Sequence, residues 1–96
     1  MFIVSITYTS LLEEIDILIP EHVEFLDRQY SLGNFQLSGR KEPRTGGVII
    51  ATVESREKLI QILALDPFNK ANLASYEITE IMPTKSSIAL GFLVDA

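Results

Sequence analysis

The stretch Gly46-Gly47-Val48-Ile49-Ile50-Ala51-Thr52-Val53-Glu54-Ser55 decides the fold. Its two glycines close a turn. The β-branched run Val48–Val53 reads as a buried strand. Ser55 then supplies the hydroxyl that caps the start of a helix. A strand that leaves a hairpin and feeds a helix is half of a split βαβ unit.

The rest follows outward from this stretch. On its N-terminal side, Phe35–Gly39 reads as a short strand, joined through the polar, Pro43-bearing connection Arg40–Gly47. On its C-terminal side, a helix over Arg56–Leu65 presents Leu59, Ile60, Ile62 and Leu63. Asp66-Pro67 breaks that helix, and Asp66 can cap a further short one with Pro67 at its first position. Further out, Phe2–Thr9 reads as a strand. Ser10 with Glu13 fits a capping box and predicts a helical turn from Leu11. That turn is expected to end before Pro20, which opens the main helix Pro20–Leu32. Val23, Leu26 and Tyr30 form its expected core stripe, and Gly33 its stop. Tyr76–Ile81 is the last strand of the core. The tail Thr84–Ala96 holds Ile88-Ala89-Leu90 and Phe92-Leu93-Val94, and one more strand is expected there.

The order β-α-β-β-α-β predicts an α+β, ferredoxin-like domain with an antiparallel sheet. A single domain spans residues 1–96, with its core in 1–83 and an extension in 84–96. Two helices cover one sheet face and leave the other open. A second copy of the sheet is the simplest cover, so a homodimer or higher homo-oligomer is expected.

Composition narrows the chemistry. The 96 residues are 47% hydrophobic and 22% charged, as befits a packed domain, with a net charge of −5. An acidic surface repels phosphate backbones and anionic lipid, so neither nucleic acid nor membrane is an expected partner. The chain has no cysteine, which removes disulfides, thiolate nucleophiles and Cys-ligated metal. The opening MFIVSITYT has no basic n-region, and no run approaches the ~20 apolar residues of a membrane span. A cytoplasmic location is the resulting expectation.

Two residues stand out as candidate chemistry. His22 is the only histidine, able to take or give a proton near neutral pH. Its alternative is a partly exposed helix residue. Asp66 lies between the apolar Leu59–Leu65 and Pro67-Phe68. It serves as a helix cap, as an orienting carboxylate, or as both, since a cap uses only one oxygen. If paired, Asp66 would fix the His22 tautomer and stabilise its cation. A lone histidine excludes a multi-histidine metal site, and no metal or organic cofactor is expected. Ser38, just before the basic loop Arg40–Gly47, and Arg44 within it are candidate contacts to a small-molecule ligand. The glycine spacing there matches no phosphate-binding motif.

The series His22-x-x-Phe25-Leu26, Gly33-x-Phe35-x-Leu37-Ser38-Gly39, Gly46-Gly47-Val48-Ile49-Ile50 and Asp66-Pro67-Phe68 ahead of Tyr76-Glu77-Ile78 resembles the YCII-related family over residues 1–83. The resemblance implies a dimeric α-β barrel of ferredoxin-like protomers. It also implies a pocket whose histidine and aspartate are His22 and Asp66. Some relatives act on hydroxylated or chlorinated aromatic compounds, while most have no assigned activity. Two departures stand out. Ile17-Leu18-Ile19-Pro20 replaces the basic residue that many members carry before the histidine, and Ser38 is often alanine.

Three functions follow as expectations. One is a lyase or isomerase with His22 as acid–base and Asp66 as its orienter. The second is a non-catalytic module that binds a metabolite in the same pocket. The third and weakest is an oxygenase of similar dimeric fold.

Overall fold

A computed structural model describes residues 1–94. The elements are β1 (Phe2–Tyr8), α1 (Leu12–Ser31), β2 (Phe35–Arg40), β3 (Gly46–Ala51), α2 (Arg56–Leu63), α3 (Pro67–Lys70), β4 (Ala74–Glu80), a 3-10 turn (Ile88–Leu90) and α4 (Gly91–Val94). The four strands lie in the order β2-β3-β1-β4, every pair antiparallel. This is the ferredoxin-like arrangement that the alternation of elements predicts.

Register decides which side chains meet the helices. Val4 of β1 pairs with Ile49 on one side and Ile78 on the other, and Ile6 pairs with Gly47 and Tyr76. These inward residues, with Phe2 and Ala51, join Ile15 and Phe25 of α1, Leu59, Ile62 and Leu63 of α2, and Phe68 of α3 in one core. The opposite parity, Ile3, Val48 and Ile50, sits half-buried on the open sheet face. Gly46 is required by close approach, since a Cβ there would overlap the Ile6 carbonyl.

β2 carries a bulge. Phe35 pairs with Ala51, yet Leu37 pairs with Ile50, so Gln36 is an extra residue. Its amide is held by the Gly33 carbonyl and the Thr52 hydroxyl. After the bulge, Leu37 points to the open face and Ser38 pairs with Ile49, on the helix side.

Four sequence expectations are corrected. First, α1 is one helix, with Pro20 inside it and not at its start. Pro20 and Asp16 both face solvent, so water can reach the carbonyl that the missing N–H would have bonded. Second, Ser10 makes no cap bond. The helix starts one residue later, with Leu11 as its cap residue, which puts Ser10 out of reach of the free N–H groups. Third, the buried stripe of α1 is Ile15, Phe25 and Gln29, with Leu18, His22 and Leu26 half-buried, whereas Val23 and Tyr30 are exposed. Fourth, the described part of the tail forms no strand. Pro83 lacks the N–H that would extend the ladder beyond β4, and the chain turns into short helical pieces. Positions 95 and 96 of the expected tail strand lie outside the described residues. In addition, α2 ends at Leu63 and leaves Ile60 exposed. Among the described residues, no helix is long and apolar enough to cross a membrane.

Candidate functional site

The end of α2 and the start of α3 place the aspartate. The Leu65 and Asp66 N–H groups close a turn on the Ile62 and Leu63 carbonyls. Asp66 then takes an extended conformation, and its Oδ1 accepts the Phe68 N–H at 3.0 Å. The expected cap is therefore formed, with Pro67 at the first helical position where its missing N–H costs nothing. The side chain is fully buried. A buried carboxylate needs donors.

Asp66 has two further donors. His22 Nδ1 lies 2.9 Å from the same Oδ1, and the Tyr76 hydroxyl donates to Oδ2 at 2.7 Å. His22 reaches inward because it lies on the buried stripe of α1, seven residues after Ile15 and three before Phe25. Its ring stacks on Phe68, with centroids 4.2 Å apart and planes at 16°. Stacking and the Nδ1 bond together fix the imidazole. Because a carboxylate only accepts, Nδ1 carries the proton and Nε2 is left as the free ring nitrogen. Among the described residues no buried side-chain polar atom lacks a partner, so Nε2, which has none among those residues, is not a buried atom.

His22 lines a cavity of about 190 Å³ between α1 and the inner face of the β2–β3 hairpin. Ile6, Ile19, Leu26 and Ile49 make its walls largely apolar, and His22, Tyr8, Ser38 and Arg40 supply the polar groups. Few polar groups on apolar walls are the usual make-up of a small-molecule pocket. Ser38 shares a 2.6 Å hydrogen bond with the Tyr30 hydroxyl, which fixes its position at the edge.

Arg44 stands apart. It pairs with Asp16 of α1, beside Tyr8, and is not among the cavity-lining residues. Asp16, first through their hydrogen bond, pushes the Arg44 pKa above its usual value, so Arg44 is a constant cation near the Tyr8 side of the cavity. The cation on the lining is Arg40 instead, which bonds Glu42 in the open hairpin.

Sequence reasoning named no role for Tyr76, Phe68 or Tyr8. Tyr76 had a usable signal. It sits on the inward parity of β4 between Ala74 and Ile78, and a tyrosine facing a core needs a partner for its hydroxyl. Burial first, then the hydrogen bond to Asp66, raises the Tyr76 pKa far above its ordinary value, so the hydroxyl stays a donor. Among the described residues, no group of three or more His, Cys, Asp or Glu is placed to hold a metal ion.

Comparison with known proteins adds three findings. The family model described as the YCII-related domain matches residues 1–85. No curated protein matches the chain. Among solved structures, the chain is similar to a 5-chloro-2-hydroxyhydroquinone dehydrochlorinase from Burkholderia phenoliruptrix AC1100, solved in complex with 2,5-dihydroxybenzoquinone. The TM-score is 0.68 at 21% identity, covering 84% of this chain and 93% of the other. A likeness at that identity shows a shared fold.

Proposed function

The chain belongs to the YCII-related family, and on that footing we propose that it is a cofactor-independent lyase or isomerase acting on a small hydroxylated aromatic molecule. One observation carries the reading. His22 gives Nδ1 to the buried Asp66 carboxylate and keeps Nε2 for a largely apolar cavity. The dehydrochlorinase of similar fold supports the substrate class.

In this mechanism Nε2 removes a proton from a phenolic hydroxyl of the substrate. The O–H electron pair becomes a C=O bond. In a lyase, the displaced ring electrons first take a proton at the ring carbon that bears the leaving group, and removal of a second hydroxyl proton then forms a new C=O and ring C=C bond as that group departs with its bonding pair. In an isomerase, His22 returns the proton to a ring carbon. Asp66 stabilises the imidazolium formed in between, and the low-dielectric site strengthens that attraction. Ser38 and Tyr8 orient the ring. Arg44 contributes only if it leaves Asp16, so Arg40 is the better placed cation for a substrate oxyanion.

The working unit is a homodimer closed over the open sheet face, in the manner of dimeric α-β barrels. Leu37, 64% exposed, with the half-buried Ile3, Val48 and Ile50, supports this cover. Cytoplasmic action without nucleic-acid or membrane partners fits the acidic charge.

The test is turnover of a panel of di- and trihydroxyaromatic compounds by wild type and His22→Ala. A loss of roughly 10²–10⁴-fold in kcat is expected for a proton-transfer residue. Activity left intact would remove His22 from the mechanism. Binding without turnover in either protein would favour the metabolite-binding module, in which Asp66 serves mainly as the cap of α3.

A further inference from the structure

The three donors on Asp66 are unevenly shared. Oδ1 takes both the Phe68 N–H and His22, while Oδ2 takes the Tyr76 hydroxyl alone. Tyr76 comes from β4, an edge strand, whereas Asp66 caps α3 and His22 belongs to α1. The chain Tyr76–Asp66–His22 thus runs from the sheet edge, through a fully buried carboxylate, to the free nitrogen at the cavity.

From this geometry we infer that Tyr76 is a positioning residue for His22: its hydroxyl clamps Oδ2, fixes the carboxylate plane, and draws charge off Asp66, which moderates the hold of the carboxylate on the His22 ring. The inference rests on the acid–base reading of His22.

The physical reason lies in charge sharing. A carboxylate that meets an imidazole with little other hydrogen bonding holds the imidazolium strongly and keeps the ring protonated. Such a ring is a poor base at neutral pH. Each further charge-assisted donor on the carboxylate spreads its charge and weakens its hold on the proton at His22. The Phe68 N–H is one such donor, but it is set by the cap and present in any folded copy. Tyr76 is the one supplied by a side chain, so it can be tuned by substitution. Its burial keeps it protonated, so it acts throughout the neutral range.

The other groups near this chain do not replace it. Tyr8 of β1 lies near Tyr76 and lines the cavity with His22, but its ring meets Phe68 edge-on, at 5.8 Å. Arg40 of β2 lines the same cavity and bonds Glu42. Asn69 of α3 spends its side-chain amide on the Leu63 carbonyl.

The experiment is NMR titration of the single His22 in wild type, Tyr76→Phe, Asp66→Asn, the double variant, and Ile78→Val as a packing control on β4. Removing the Tyr76 hydroxyl is expected to raise the His22 pKa by about 0.5–1 unit. It is expected to do nothing in the Asp66→Asn background, and Ile78→Val is expected to leave the titration unmoved. If Tyr76→Phe leaves His22 unmoved while Asp66→Asn moves it, the positioning role is overturned and the His22–Asp66 reading stands. If Asp66→Asn also leaves it unmoved, both fall. Should Tyr76→Phe not fold, Tyr76→3-fluorotyrosine, a stronger donor, is expected to lower the His22 pKa. An unchanged pKa in that variant overturns the role equally.

Discussion

Two polar clusters tie α1 to the rest of the molecule, and they are built in opposite ways. Around Asp66, three donors from three elements converge on one carboxylate with no solvent exposure. At the β2–β3 hairpin, Arg44 meets Asp16 and Arg40 meets Glu42, and the Arg40 and Glu42 side chains are 71% and 74% exposed. The first cluster has no water to fall back on, so each lost partner leaves an uncompensated buried group. The second exchanges its partners with water and salt at little cost. Charge at the hairpin is therefore free to rearrange, whereas charge at Asp66 holds geometry.

The largest effect is expected from Asp66→Ala. It removes the α3 cap and strands both His22 and Tyr76, for a loss of about 3–5 kcal/mol in denaturant unfolding. Asp66→Asn keeps an acceptor for the Phe68 N–H and should lose clearly less. Equal losses would erase the contrast with the hairpin, because the cap would then contribute nothing.

An intermediate effect concerns pH. The Tyr76 pKa is raised in the folded state, so the folded protein holds this proton where the unfolded chain releases it. The stabilisation is complete below about pH 10, the ordinary tyrosine value, and fades as pH climbs above it. Urea midpoints measured from pH 8 to 11 should fall at the alkaline end, and Tyr76→Phe should flatten that fall. An identical alkaline slope in the variant would show that Tyr76 is not the group responsible.

The smallest effect is expected at the hairpin. Arg40→Gln should change stability by no more than about 0.5 kcal/mol, and the difference should shrink further in 0.5 M salt. A loss as large as that of Asp66→Asn would mean that the exposed cluster also holds the fold.

The order of elements was legible because each strand and helix carries its own local signal. Val48–Val53 reads as a strand and Ser55 as a cap without knowledge of the rest, and Ser55 does accept the Lys58 N–H. The pairing of His22 with Asp66 joins residues 44 apart, and only tertiary packing brings them together. The stripe of α1 differs from its expectation for a local reason. A helix that starts at Pro20 lacks Ile15 and Leu18, which set the phase, and without them Val23 and Tyr30 fall inward. Restoring those residues puts Phe25 and Gln29 inside and His22 on the stripe. Tyr76 was missed because its hydrogen bond depends on which face of β4 looks inward, and that is fixed by register with β1.

The bulge at Gln36 has a consequence for how such a cavity can change over generations. The bulge takes one residue of β2 without using one of β3, so from Leu37 to Arg40 the strand runs in unbroken register with Ile50 to Gly47. A one-residue deletion between Phe35 and Ser38 can be absorbed by closing the bulge, which leaves Phe35 opposite Ala51 and keeps Ser38 and Arg40 on the cavity side. The strand thus carries one residue of slack, and a lineage could lose it without altering the lining of the cavity.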